Sequence, residues 1–460
     1  MQNKLIKRVS IGIGVSVFFF ILISFGLKWA SQAKWNNWKK EWQAKGEDFD
    51  IASNIPKKIP DNENFAKTEF FAPFFLKDIE TPEFKEAQER FKIKKPSSIR
   101  YNWRKGKQRD SISWESAFFE SDLAKLATDL KRPYCRFDIQ YQNGYEATLP
   151  HLSTLKNAAT LFSLRAGEKL ARANTNEAMQ DTLNGIQLGE LLQSEPFLIS
   201  QLVRIAILDM SIQTFWEGQV NGQWSTEQLK EFQEKIKDID LLKGIELALK
   251  LERNMANQWF ADINQKKRNL GEFDDILGMD TPSYIRYFLS SNQYQINKII
   301  TEDFLPGIDI SKHKLDTKQI KIAEEKILEL KNSFLPSRYA LVLMLLPALD
   351  SCLLRVSQMQ TSLNQASIVA ALELYRLKNN KYPSNLNDLK PDFISIIRGD
   401  LFHDKGLVYR VNEDNSFSLY STGYNEKDDE GEFFIENNSI KFEKGDWPWP
   451  KKIKNSLSSI

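Results

Sequence analysis

Glu426, Asp428, Asp429 and Glu430 crowd one short run near the C-terminus, with Asn425 before them and Gly431 after. Clustered carboxylates and loop carbonyls supply the roughly six to eight hard oxygen ligands that Ca2+ takes. The spacing is not that of an EF-hand, and Lys427 opposes a cation unless it turns away. A solvated acidic turn is the competing reading. Other chemistry has less to draw on. The three histidines, His151, His313 and His403, are far apart in the chain. The sequence contains no H-E-x-x-H, no G-x-S-x-G, no phosphate loop and no paired C-x-x-C. His151, within Leu-Pro-His-Leu, reads as a helix-start or core histidine rather than a base. Carboxylates are plentiful on helical stretches, but a glycosidase pair is defined by its separation in space, which spacing does not give. The two cysteines, Cys135 and Cys352, exclude a disulfide-rich scaffold and read as buried free thiols.

The acidic run must be positioned by the segment that carries it. From Gln365 the chain reads QASIVAALELYRLKNNKYPSNLNDLKPDFI, then RGDLFHDKGLVYRV, then SFSLYSTGYNEKDDEGEF. That order predicts a helix, a Tyr-Pro turn, a short helix, two strands joined at Asn412 to Asn415, and the acidic loop. Upstream, Leu349, Leu353, Val356, Met359, Leu363, Ala366, Ala370, Leu374 and Leu377 step by threes and fours, one long helical stripe. Tyr339 to Leu349 is strongly apolar, but Pro347 and Asp350 interrupt it. A buried helix fits that length better than a membrane span.

The module from Gln365 to Phe433 resembles the soluble head of the major pseudopilin of type II secretion systems. In that family the corresponding loop binds calcium. The resemblance implies Asp428 and Asp429 as ligands and Asn425 as a carbonyl donor, with Ca2+ as the one cofactor to expect. The filament role does not carry over. No Glu follows in the apolar N-terminal run, and some three hundred residues separate that run from the head, where a filament subunit has one continuous helix. Longer blocks, SEPFLISQLVRIAILDMSIQTFWEG, IPKKIPDNENFA, LPHLSTLKNAATLFSLRA and the terminal GDWPWP, resemble a family of bacterial proteins with one N-terminal span and this C-terminal module. That likeness implies topology and architecture and brings no activity.

The N-terminus supports the same topology on its own residues. Val9 to Leu27 holds no charge and is long enough, as a helix, to cross a hydrocarbon core. Lys4, Lys7 and Arg8 precede it, as positive-inside topology expects, although Lys28, Lys34, Lys39 and Lys40 follow it. No A-x-A site precedes Lys28, which favours an uncleaved anchor over a signal peptide. The expected location is therefore the inner membrane, single-pass, with the bulk of the chain periplasmic. Trp29, Trp35, Trp38 and Trp42 sit either at the headgroup level or against the protein body.

Between anchor and head, Pro56, Pro60, Pro73, Pro82 and Pro96 break up residues 46 to 100. The Phe70–Phe75 patch is expected to dock that segment on the body. Helical stripes begin at Leu149. A break falls at Ala173–Thr175, Glu195-Pro196 starts a helix with Pro in its first turn, and Ser225 and Gln228 form a capping-box pattern. Arg204 and Asp209 lie on an otherwise apolar helix and must pair or face its polar side. Arg100 to Arg109 reads as a solvated basic loop. Trp447-Pro448-Trp449-Pro450 reads as a stiff strand that packs on the sheet or meets a partner.

The expected architecture is mainly α, with a small α+β head. It divides into an anchor over 1–30, an irregular docking segment over 31–148, an α-helical domain of αα-hairpins over 149–333, a long helix with the head over 334–450, and a tail over 451–460. A net charge of +2 gives no argument for a nucleic-acid partner. The leading functional expectation is a non-catalytic envelope protein that binds or scaffolds other envelope proteins, linked to secretion. An envelope hydrolase with its site in the helical domain is the alternative. A cleaved, secreted calcium-binding protein is a third reading.

Overall fold

The computed structural model describes residues 26, 28–76, 78–92, 103–108, 115–265, 288–437 and 439–452. Gly26 apart, the Val9–Leu27 run lies outside them. The described chain is mainly helical, with short antiparallel sheets.

Helix α1 spans 28–44 and an irregular segment follows, with 3-10 turns and one short helix, α2 (Pro82–Glu89). Phe65, Phe70, Phe71 and Phe74 are buried there against Phe137 and the first helix of the body, so the segment docks as its composition predicts. Helix α3 (Glu120–Asp129) covers the same apolar cluster. The body is built from α4 (His151–Ala171), α5 (Thr175–Glu190), α6 (Leu198–Val220), α7 (Thr226–Ile236) and α8 (Leu241–Asn264). Both halves of the Ser225–Gln228 capping box form. Pro196 does not enter α6. That helix starts at Leu198, because the preceding residues turn Glu195 inward onto His151, while Gln201 Nε2 donates to the carbonyls of Leu192 (3.0 Å) and Glu195 (2.7 Å).

Helix α9 (Leu289–Ile299), a short antiparallel pair of β1 (Ile308–Asp309) and β2 (Lys314–Leu315), and α10 (Thr317–Lys331) lead to α11 (Ala340–Asn379), which packs on α6, α7, α8 and α10. Pro347 lies inside α11 without ending it. Two of these helices, α6 and α11, are long and apolar enough to cross a membrane, yet both contribute many side chains to the core.

The head follows as drawn from the sequence. A 3-10 turn (Leu386–Leu389) precedes strand β3 (Val408–Val411), which pairs antiparallel with β4 (Phe417–Ser421) across a turn whose Asn415 is left-handed. A hairpin of β5 (Phe433–Glu436) and β6 (Ser439–Gly445) comes next, then β7 (Trp447–Pro448) pairs with β4. The Trp-Pro strand thus packs on the sheet. Gln365 Nε2 donates to the Trp447 carbonyl (2.6 Å), Trp216 Nε1 to the Pro450 carbonyl (2.8 Å), and Trp449 Nε1 to Gln219 (3.2 Å). One apolar cluster therefore runs from α5 through α11 to Trp449.

A further local reading changes, and one left open divides between its alternatives. Trp103 and Arg104, inside the basic stretch taken for a solvated loop, are not solvated. Trp103 is buried against Trp216 and Trp449, and Arg104 pairs with Asp209 at 2.6 Å. The indole buries its apolar area while its Nε1 donates to Asp209 (3.2 Å), and the same carboxylate supplies the partner that a half-buried guanidinium needs. The tryptophans of α1 divide. Trp35 and Trp38 are buried with Phe49 and Tyr294, and Trp38 Nε1 donates to Glu302 (2.6 Å), whereas Trp29 is 77% exposed. Arg204 is buried and pairs with Glu190 through both carboxylate oxygens, at 2.9 and 3.1 Å, as an unpaired charge there could not.

Candidate functional site

The acidic loop leaves β4 beside Gly423 and closes on itself. Asp428 Oδ1 accepts from the Tyr420 hydroxyl (3.1 Å) and from the Glu430 amide (3.0 Å). Asp429 Oδ2 accepts from Asn425 Nδ2 (3.0 Å), and Asn425 Oδ1 accepts from the Lys427 amide (3.0 Å). Beneath them lies Asp446, fully buried, whose Oδ2 accepts from the amides of Asp429 (3.0 Å) and Gly431 (2.6 Å). Burial, with Asp428 and Asp429 nearby, raises the Asp446 carboxyl above its usual range. The donor set fits a hard cation only in part. Asn425, Asp428 and Asp429 lie in one loop, but their side chains bond within it or to Tyr420, and of the acids gathered here Asp446 keeps one buried oxygen, Oδ1, without a partner. Among the described residues no three His, Cys, Asp or Glu side chains converge on one metal position.

The histidines are placed structurally. His151 opens α4, is buried, stacks on Phe137 at 3.8 Å between ring centres, and bonds Glu195 at 3.0 Å, while Ser200 donates to the same carboxylate. Because the serine hydroxyl is held by Glu195 rather than by the imidazole, the trio is not a nucleophile–base pair. His403 Nε2 bonds Thr422 at 2.7 Å, and His313 Nε2 lies 3.3 Å from Arg398. Cys135 and Cys352 are free and buried, and burial raises both thiols, Cys352 to about 11. Neither is an activated nucleophile, since only the thiolate attacks. One carboxyl pair does stand out. Asp350 on α11 meets Glu324 on α10, and burial first, then Glu324, pushes Asp350 up to about 7. Tyr424 donates to the same Glu324, which ties the pair to the head.

A concave site lies elsewhere, between α7, α11 and the loop after the short 3-10 turn of the head. It encloses about 580 Å3, within the range of roughly 300–1,000 Å3 that ligand pockets occupy. Its lining mixes apolar side chains, Ile236 and Ile239 from the α7 side, Leu363 and Ile368 from α11, and Phe393 and Ile394 from the head loop, with at least as many polar and charged ones. Lys230, Glu234, Lys237, Asp238 and Asp392 ring the mouth, and Ile396 stands on the rim 70% exposed. Polar groups converge at its base. Gln360 accepts from the Leu241 amide (2.8 Å) and donates to Asn364 Oδ1 (3.2 Å). Arg398 donates to the carbonyls of Lys237 (2.8 Å) and Ile239 (3.5 Å), which fixes the head loop against the end of α7. Asn364 is only 3% exposed, and its Nδ2 has no partner. A buried donor left unmade is costly, so it marks a place where an acceptor from outside gains most.

A second, wider cleft of about 800 Å3 is lined by Arg165, Lys169, Asp181, Glu177 and Lys235. There the charges already satisfy one another. Arg165 holds Asp181 at 2.6 and 2.8 Å, and Lys169 holds Glu177 at 2.8 Å.

Sequence reasoning passed over the Asn364 cleft. The signal was the polar pair Gln360 and Asn364, one turn apart on α11, a spacing that places both on one side. The acidic loop carried the louder compositional signal. Comparison with known proteins finds no matching family model, no matching curated protein and no matching solved structure.

Proposed function

We propose that this chain is a membrane-anchored, extracytoplasmic binding or scaffold protein, and that the cleft between α7, α11 and the head loop receives a segment of another envelope protein. The buried, unpartnered Asn364 amide beside a cleft of mixed polar and apolar lining is the observation that carries this reading. An extended segment supplies what the cleft lacks: a carbonyl for Asn364 Nδ2 and apolar side chains for the accessible faces of Phe393 and Ile396. The mixed charges of the mouth give register rather than bulk attraction. The uncharged Val9–Leu27 run supports the anchor, and the secretion link rests on the pseudopilin-like order of the head. A non-catalytic reading is supported by the structural pairing of several such groups: His151 with Glu195, Asp181 with Arg165, and Asp446 with the loop amides.

The test is photo-cross-linking in native membranes. A benzophenone side chain at position 396, on the cleft rim, is expected to give a discrete adduct that Asn364→Leu in the same chain diminishes. The same group at position 118, exposed on the docking segment, serves as control. Adducts that are identical at both positions and indifferent to Asn364→Leu overturn the reading.

A further inference from the structure

The structure places five chain segments at one pole of the molecule. Ser31 bonds Ser291 (3.0 Å), Gln32 bonds Ser290 (2.7 Å), and Trp38 meets Tyr294 and then Glu302, so α1 and α9 run side by side in the same direction. Their N-terminal ends therefore coincide. Asn292, near the start of α9, donates to the Arg338 carbonyl (2.8 Å) and accepts from the Val342 amide (3.2 Å), and Arg338 Nη2 donates to Ser291 (2.9 Å). The start of α11 thus belongs to the same pole, as do the end of α10 at Lys331 and the turn between them. The uncharged Val9–Leu27 run enters the described chain at this end of α1.

Among the described residues, apolar side chains are exposed at this pole. Phe334 is fully exposed, Leu335 and Leu328 are about half exposed, and Trp29 is largely exposed on α1. Exposed Lys28 and Lys331 flank them, with Glu329 on the same turn as Leu328. Aromatic and aliphatic tips with lysine neighbours suit the interfacial layer, where rings sit among headgroups and ammonium groups stay wet. The partner is fixed by continuity: a helix that spans the bilayer from Val9 to Leu27 brings whatever surrounds residue 28 to the headgroup level. Resting on that anchor reading, we propose that the Ser333–Leu335 turn, with Trp29 and Leu328, enters the interfacial layer of the same bilayer, so that the body is held at a set orientation rather than swinging from a single tether. The two-point contact aims the Asn364 cleft in one direction relative to the membrane.

The experiment uses the full chain. Cys135 and Cys352 are 8% and 7% exposed, so a thiol introduced by Phe334→Cys is labelled selectively with a nitrobenzoxadiazole fluorophore. The labelled protein is reconstituted into phosphatidylcholine–phosphatidylglycerol vesicles. The expected result is blue-shifted emission at 334 and several-fold stronger quenching by lipids brominated near the headgroup than at a Phe118→Cys control. A probe at 334 that stays water-like and unquenched, on protein that floats with the vesicles, overturns the proposal while leaving the anchor intact. Protein that does not float with vesicles overturns the anchor reading and this contact with it.

Discussion

Replacing Trp449 tests whether the head and the helical body are one cooperative structure. Trp449 is buried, with its ring 5.5 Å from Trp103 and 6.3 Å from Phe215, and its Nε1 donates to Gln219 on α6. Trp449→Ala removes an aromatic side chain from a site bounded by rings on two sides, which cannot collapse to fill the space. Truncations of this kind cost about 3–5 kcal/mol. The Gln219 oxygen also loses its donor, a further loss of about 1 kcal/mol. The melting shift per kcal/mol falls with chain length, from about 2–4 °C at 150–250 residues, so a single transition is expected to move down by roughly 5 °C. The assay is thermal unfolding of the detergent-solubilised chain, followed at once by tryptophan fluorescence and far-ultraviolet circular dichroism. Both probes should shift together, because one apolar cluster joins α6 and α11 to β7. Two transitions, only one of them moved, would refute the argument that the Trp-Pro strand welds head to body.

Three further outcomes follow from particular contacts. Gly218→Ala would place a Cβ 2.3 Å from two ring carbons of Trp224, whose Nε1 donates to the Phe215 carbonyl, so the variant should melt lower despite a better helix former, by about 1–3 kcal/mol in unfolding free energy; an unchanged denaturant midpoint contradicts the packing. Asp350 binds its proton more tightly in the fold, with a folded value of about 7 against 3.8, so its stabilising contribution is complete below 3.8 and is lost as pH rises through about 7; the advantage of Asp350→Asn should open across that window and level off above it, and an advantage equal at pH 4 and pH 8 would count against the burial of this carboxyl beside Glu324. Millimolar calcium should shift the melting temperature by no more than about 1 °C, since Asp428, Asp429 and Asn425 already bond within their loop; a rise of several degrees that Asp446→Asn removes would show that the loop opens to take the ion.

Local order was legible in the sequence, and long-range convergence was not. The Ser225–Gln228 box, the threes-and-fours stripe of α11 and the Asn412–Asn415 turn are written in neighbouring residues, and each forms. The pairing of Arg204 and Asp209 followed from the cost of a lone buried charge, although neither partner, Glu190 or Arg104, could be named from spacing. Pro196 misled because Glu195 is committed to His151, a contact 44 residues back along the chain. The basic stretch around Arg104 hid a core tryptophan, since charge density says nothing about the one ring among the cations. Asn364 reads as an ordinary polar residue on a helix until α7 and the head loop close over it. Asp446 looked unconnected to the acidic loop, because only the β5–β6 hairpin carries it back beneath Asp429 and Gly431.

On the function proposed above, this body is tethered to a membrane and stands outside the cytoplasm. Protease digestion of carbonate-washed membranes, in sealed vesicles of each orientation, tests it most directly. The account predicts that the chain stays with the membrane after the wash and that residues beyond Lys45 are cut only when the non-cytoplasmic face is exposed. Recovery of a chain that begins after Leu27 in the soluble fraction, or digestion from the cytoplasmic face, would contradict it.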